Sequence, residues 1–107
     1  MKITITKRGI NLDRLSNEAL NFPKSVNIGI DTNNKTLGIR EAKDDKDIKE
    51  YKLYNMNRGT ASIMSSKLSK IMSDIYQATV PFRLEVDYDN GQKMLIADLN
   101  IGKRGGR

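Results

Sequence analysis

The sequence predicts an α+β fold in which two tandem strand–helix–β-hairpin units close into one pseudo-two-fold small β-barrel or sheet, carrying one short and one longer helix. Three observations predict it. The chain has 107 residues, 37% of them apolar, which is enough for one core and too little for two. The stretch Pro23-Lys24-Ser25-Val26-Asn27-Ile28-Gly29-Ile30-Asp31 returns 58 positions later as Pro81-Phe82-Arg83-Leu84-Glu85-Val86-Asp87-Tyr88-Asp89, with prolines, alternating apolar positions and closing Asp in step. An Arg-Gly pair stands ahead of each candidate helix, at Arg8-Gly9 and again 50 positions on at Arg58-Gly59.

Taken in order, Ile3 and Ile5 between polar neighbours predict a strand over residues 2–7, because strict alternation puts one set of side chains on one face. A short extended segment follows Arg8-Gly9. Leu12, Leu15, Ala19 and Phe22 then make the apolar stripe of a short helix, with Asp13 or Ser16 as its cap. Residues 23–40 form a hairpin around Thr32-Asn33-Asn34, and the register continues through Lys35 and Leu37, which match Lys93 and Leu95. Residues 41–50 mix both signs of charge and read as a solvated connector.

The second unit, residues 51–100, repeats the plan. Tyr51–Asn57 is a strand, and Met64, Leu68, Ile71, Met72 and Ile75 stripe a helix capped by Ser65 or Ser66. The change of offset from 50 to 58 puts the extra residues in this helix and its exit, around 73–79. The hairpin at 82–99 turns on Asn90-Gly91, a pair that tolerates the positive φ of a type I′ turn. Residues 101–107, with three glycines, read as a basic tail. Repeats 1–40 and 51–100, connector and tail together make a single domain over 1–107.

Composition narrows the chemistry. With no His and no Cys, the commonest general base, the thiol nucleophile and every thiolate or imidazole zinc site are missing. No cofactor and no metal are expected. No apolar run approaches the roughly 20 residues of a membrane span, and none behind Met1-Lys2 makes a signal peptide, so a soluble chain in the bacterial host cytoplasm, with no membrane partner, is expected. The net charge of +6 is uneven: residues 1–40 carry +4, the connector −2, residues 51–100 +1 and the tail +3. Such a balance is the footprint of a nucleic-acid binder.

The segments Arg8-Gly9-Ile10-Asn11-Leu12 through Ile39, and Arg58-Gly59-Thr60-Ala61-Ser62-Ile63-Met64 through Leu99, resemble the SpoVT-AbrB family of swapped-hairpin proteins. The resemblance implies two interlocked copies forming a small barrel, usually a dimer, that presents basic residues to DNA. Here both copies lie in one polypeptide, so a monomeric pseudo-dimer or a homodimer is expected. The family's Pro before its helix is replaced by Ser65 and Ser66 in the second copy, and the second helix is long for the family. There is a looser likeness to small proteins of phages that infect Gram-positive bacteria.

Three constellations invite a catalytic reading. Glu85, Asp87 and Asp89 alternate on one strand with Lys93 across the turn, as in a metal-dependent nuclease, but the polar face of a half-buried hairpin carries charge in any case. Ser62, Ser65, Ser66, Ser69 and Ser73 lack a base, since lysines such as Lys67 and Lys70 on an exposed helix face stay protonated. Gly102, Gly105 and Gly106 have no strand-to-helix context for a phosphate loop. No catalytic residue is therefore expected. The nucleic-acid candidates are Lys7, Arg8 and Arg58 at the Gly turns, Arg14 and Lys67 near the helix starts, and Lys103, Arg104 and Arg107 in the tail. Tyr51 and Tyr54 are expected to pack in the core. The expectation is a non-enzymatic double-stranded-DNA-binding regulator of transcription, of mobile-element or phage type. The alternative is a phage-type protein that inhibits a host or defence protein through an exposed sheet edge or the second helix.

Overall fold

The computed structural model describes residues 1–44 and 47–100. Its elements run β1 (Lys2–Thr6), β2 (Gly9–Leu12), α1 (Arg14–Ala19), β3 (Ser25–Asp31), β4 (Thr36–Glu41), β5 (Tyr51–Asn55), a 3-10 turn (Asn57–Gly59), β6 (Ala61–Met64), α2 (Ser66–Tyr76), β7 (Phe82–Asp89) and β8 (Met94–Asp98). The strands close into an eight-stranded antiparallel barrel in the order β1-β2-β6-β5-β3-β4-β8-β7. Among the described residues every strand has a paired neighbour on each side, although β3 and β5 pair at only two positions. Among the described residues no helix is long and apolar enough to cross a membrane.

Alternation fills the barrel. Ile3, Ile5, Ile10, Leu12, Val26, Leu37, Ile39, Leu53, Ala61, Ile63, Leu84, Val86, Leu95 and Ala97 point inward and are buried, while their neighbours along each strand face out. Leu20 of the α1 C-cap, Leu68 and Met72 of α2 and Leu99 complete the core.

The two hairpins share one register at an offset of 58. Ile28↔Ile39, Gly29↔Gly38, Ile30↔Leu37 and Asp31↔Thr36 become Val86↔Ala97, Asp87↔Ile96, Tyr88↔Leu95 and Asp89↔Met94. Their turns differ from the expected type I′ pair. Each loop has four residues, and positive φ falls on Lys35 and Lys93 (54° and 56°), with Asn90 and Gly91 outside that region. The opening Asp is the reason. Asp31 Oδ1 accepts from the N–H groups of Asn33 and Asn34, as Asp89 Oδ1 does from Gly91 and Gln92, at 2.9–3.2 Å. The chain turns about that carboxylate, and one left-handed residue then closes the loop.

The apolar stripe orients α2 as predicted, with Ile75 also packed against the core, but it does not orient α1. In α1 the buried residues are Ser16 and Asn17, whereas Leu15 is 59% exposed and Phe22, past the helix end, 46%. Six residues give too little helix for an apolar stripe to orient it; its polar contacts do so. Of the α2 stripe, Leu68 and Met72 are buried, while Met64 belongs to β6 and is exposed. Asp13 and Ser65 are the caps, accepting from the N–H groups of Ser16 (2.8 Å) and Leu68 (3.2 Å).

Candidate nucleic-acid interface

Two basic corners sit at the two ends of the β2–β6 ladder. This ladder pairs Gly9↔Met64, Ile10↔Ile63, Asn11↔Ser62 and Leu12↔Ala61, so its ends are about 10 Å apart at some 3.4 Å per residue.

At the Gly9–Met64 end, Lys7 and Arg8 form the tip of the β1–β2 hairpin and are exposed. Thr6 braces the tip, its Oγ1 accepting from the N–H groups of Arg8 and Gly9. Gly9 has φ of +157°, and a Cβ there would lie 1.9 Å from the Ile63 carbonyl oxygen. Only glycine lets the hairpin come this close to β6. The start of α2 is tied to the same tip: the Ser65 N–H donates to the Arg8 carbonyl at 2.8 Å and the Ser69 hydroxyl to the Thr6 carbonyl. Lys7, Arg8, Met64, Ser65, Ser66 and Lys67 consequently line one shallow groove. Three cations stand where the helix macrodipole is also positive, an arrangement that disfavours the empty site and favours an anion in it.

At the Leu12–Ala61 end the first turn of α1 meets the 3-10 turn. The Asn17 amide is fully buried and donates through Nδ2 to Asn55 Oδ1 and to the Gly59 carbonyl, both at 2.8 Å. Asn55 Nδ2 donates onward to the Pro23 carbonyl at 3.2 Å. Arg58 and Gly59 both have left-handed φ (67° and 81°), and a Cβ on Gly59 would meet Arg14 Cγ at 2.9 Å. The stem of Arg14 therefore lies across Gly59, next to Arg58, and both arginines are exposed. Asp13 offsets part of this charge. Burial raises its pKa, but hydrogen bonds from Ser16 and from the Lys2 N–H outweigh that, and the carboxyl is held below its ordinary value.

The two Arg-Gly pairs thus occupy unlike turns, a two-residue hairpin tip and a five-residue loop with a 3-10 turn. Of the expected set, Lys7, Arg8 and Lys67 are brought together at one corner and Arg14 with Arg58 at the other; Lys103, Arg104 and Arg107 lie outside the described residues. Between the corners, register places Arg83, Thr4, Asn11, Ser62 and Tyr54 in one lateral row on the outer face. Tyr54 is 46% exposed, with Lys52 Nζ 5.0 Å from its ring centroid; it lies on the even, outward phase of β5 set by buried Leu53. Tyr51 does pack against the core.

Asn17 escaped the sequence analysis, and Ser69 entered it only as a hydroxyl without a base. Each stands four residues after its helix cap and bonds across to the other half, Asn17 to Asn55 at the end of β5 and to Gly59 in the following loop, Ser69 to Thr6 at the end of β1. A polar residue four places beyond a capping Asp or Ser was the available signal.

The acidic trio on β7 is not gathered into a site. Glu85 pairs with Lys2 at 3.8 Å, and Asp89 is engaged by its own turn. Compared with protein-family models, curated proteins and solved structures, the chain matches none.

Proposed function

We propose that the chain is a non-enzymatic double-stranded-DNA-binding protein of regulatory type, of the kind its resemblance to the SpoVT-AbrB family implies. The observation that carries this reading is the placing of five cations in two corners at opposite ends of one short ladder. Their spacing is commensurate with a DNA groove, about 12 Å wide on the major side, so each corner reaches one phosphate backbone. Arginine forks and the α2 amides supply charge-assisted contacts, and the row between them, Thr4, Asn11 and Ser62 flanked by Arg83 and Tyr54, faces the base edges.

The same reading takes the two halves as copies related by an approximate dyad, matching the dyad of a duplex. In its support, exchanging β1 with β5, β2 with β6, β3 with β7 and β4 with β8 returns the same cyclic strand order. Asn17 and Ser69, each four residues past its cap, also both bond across to the other half, though to non-equivalent residues. Lys103, Arg104 and Arg107 add contacts to further phosphates or the minor groove.

The test is a mobility shift of the full chain on random duplex, single strand and RNA at two salt concentrations. The expected result is retention on duplex that weakens steeply with salt. Equal or better retention on single strand or RNA, or none on any of the three, overturns the proposal.

A further inference from the structure

The outer face of the first hairpin, together with the adjoining β8, carries a groove of about 590 Å³. Its floor is the cross-strand pair Gly29↔Gly38. Glycine inside a strand weakens it, and it commonly marks a bulge or a place where a ligand approaches the backbone. No bulge is present, since the register runs unbroken from Val26↔Glu41 to Asp31↔Thr36. Neither glycine has a left-handed φ. Among the described residues a Cβ on Gly29 would meet nothing within 4 Å, and one on Gly38 would meet Met94 Sδ at 3.1 Å and the Gly29 carbonyl oxygen at 4.0 Å. Nothing among the described residues therefore demands glycine at position 29. The equivalent positions in the other hairpin, in the same register, hold Asp87 and Ile96.

The groove is walled by Ile48, Met94 and Ile96, and Arg40 stands at one end. Arg40 is held in place: its Nε donates to Asn27 Oδ1 at 3.3 Å. Asn27 is itself buried, with Oδ1 also accepting from the Lys43 N–H at 3.1 Å and Nδ2 donating to the Lys49 carbonyl at 3.0 Å. A guanidinium fixed through Nε presents its two terminal nitrogens as a planar fork suited to a carboxylate. At the other end, the Asp31 carboxylate is turned into its own loop by Asn33 and Asn34.

We propose that this groove binds a small aromatic monocarboxylate, its ring flat on the open Gly29 backbone between Ile48 and the Met94 thioether that covers Gly38, and its carboxylate on Arg40. Arg40 is two residues from Gly38, about 7 Å along the strand, so the acid group belongs two carbons or so from the ring. The volume lies in the range of small-molecule sites, apolar walls with one oriented polar group.

The probe is 3-phenylpropionate, titrated into the full chain and followed by amide chemical shifts, with neutral 3-phenylpropanamide as control. Saturable shifts centred on Gly29, Gly38, Lys43 and Ile96, with affinity in the millimolar range or tighter, are expected. Arg40→Gln should weaken binding about tenfold, and the amide control should behave like that variant. Gly29→Val should abolish binding while melting no lower than wild type, because the added side chain enters open space and valine favours strands. The proposal is overturned if the shifts fail to saturate, centre on Lys7, Arg8 and Lys67, or persist unchanged in both variants. A lower melting point for Gly29→Val also overturns it, since that glycine would then serve the fold.

Discussion

Salt dependence gives the sharpest test of the two-corner reading, because the structure states how many cations each corner holds. Lys7, Arg8 and Lys67 line one groove, and Arg14 lies beside Arg58 at the other end of the ladder. If each neutralises one phosphate, the two corners contribute about −4.5 to the slope of log K against log salt, at about −0.9 per phosphate, and contacts of the basic tail add to it. Raising salt fourfold, from about 50 to 200 mM, then lowers affinity by roughly 500-fold or more. Replacing both Arg8 and Arg58 with Ala removes two contacts, makes the slope shallower by about 1.8 and reduces the loss over the same range by about 12-fold. Neither side chain contributes to the core, so circular dichroism and melting of the double variant should match wild type. Fluorescence anisotropy on a labelled random duplex at four salt concentrations measures both slopes. A double variant with the wild-type slope would refute the assignment, and so would a wild-type slope shallower than about −2.

Three further outcomes follow from the geometry. Gly9→Ala should destabilise the fold by more than about 3 kcal/mol in denaturant titration, since its Cβ would collide with a backbone carbonyl in a conformation foreign to L residues. Asn17→Ala should cost about 2 kcal/mol, read as a lower denaturation midpoint at unchanged m, for the two bonds lost to Asn55 and Gly59. Asp31 and Asp89 have pKa values lowered from the ordinary 3.8, first by the N–H groups of Asn34 and Gln92 and then by the amide side chains of the same residues. A depressed folded pKa gives stability that is present above the ordinary value and lost as pH falls through it toward the folded one. Melting temperature should therefore drop below about pH 4, and the Asp31→Asn, Asp89→Asn double variant should show a flatter acid limb.

The hairpins were the most legible part of the chain because period-2 alternation and a closing Asp are both local signals. Their turn type was not legible from Asn90-Gly91 alone, since the Asp89 carboxylate, two bonds removed from the backbone, decides which residue takes the left-handed conformation. In α1 the apolar residues misled. Leu15 and Phe22 face solvent because Asn17 is drawn inward by Asn55 and Gly59, partners 38 and 42 residues away. The basic residues were identifiable one by one, but their grouping depends on Gly9 admitting β6 and on Arg14 lying over Gly59, contacts that no local pattern carries. The Gly29–Gly38 pair is least visible of all: the two glycines stand nine positions apart and acquire a meaning only once register makes them neighbours.

Departures from an exchange of halves occur on both sides of the barrel: the Arg-Gly turns and the helix lengths differ beside the β2–β6 ladder, and the pairing differs at the β3–β5 seam. Carrying the Lys2↔Glu85 pairing across would join Lys52 to Asn27, yet Lys52 pairs with Ser25, two residues along. The β3–β5 seam has two paired positions where β1–β7 has four, and Asn27 there is buried beneath the connector while its counterpart Glu85 is exposed. The glycine pair and Arg40 belong to the same altered hairpin, at the β4–β8 side. In an eight-strand ring that side lies opposite the β2–β6 ladder with its basic corners. Charges separated by more than about 10 Å are largely screened at ordinary ionic strength, so Arg40→Gln and Gly29→Val should leave duplex affinity and its salt slope unchanged. A fall in duplex affinity comparable with that of the Arg8 and Arg58 replacements would mean that DNA contacts this face, and that the assignment of the two faces must be reversed.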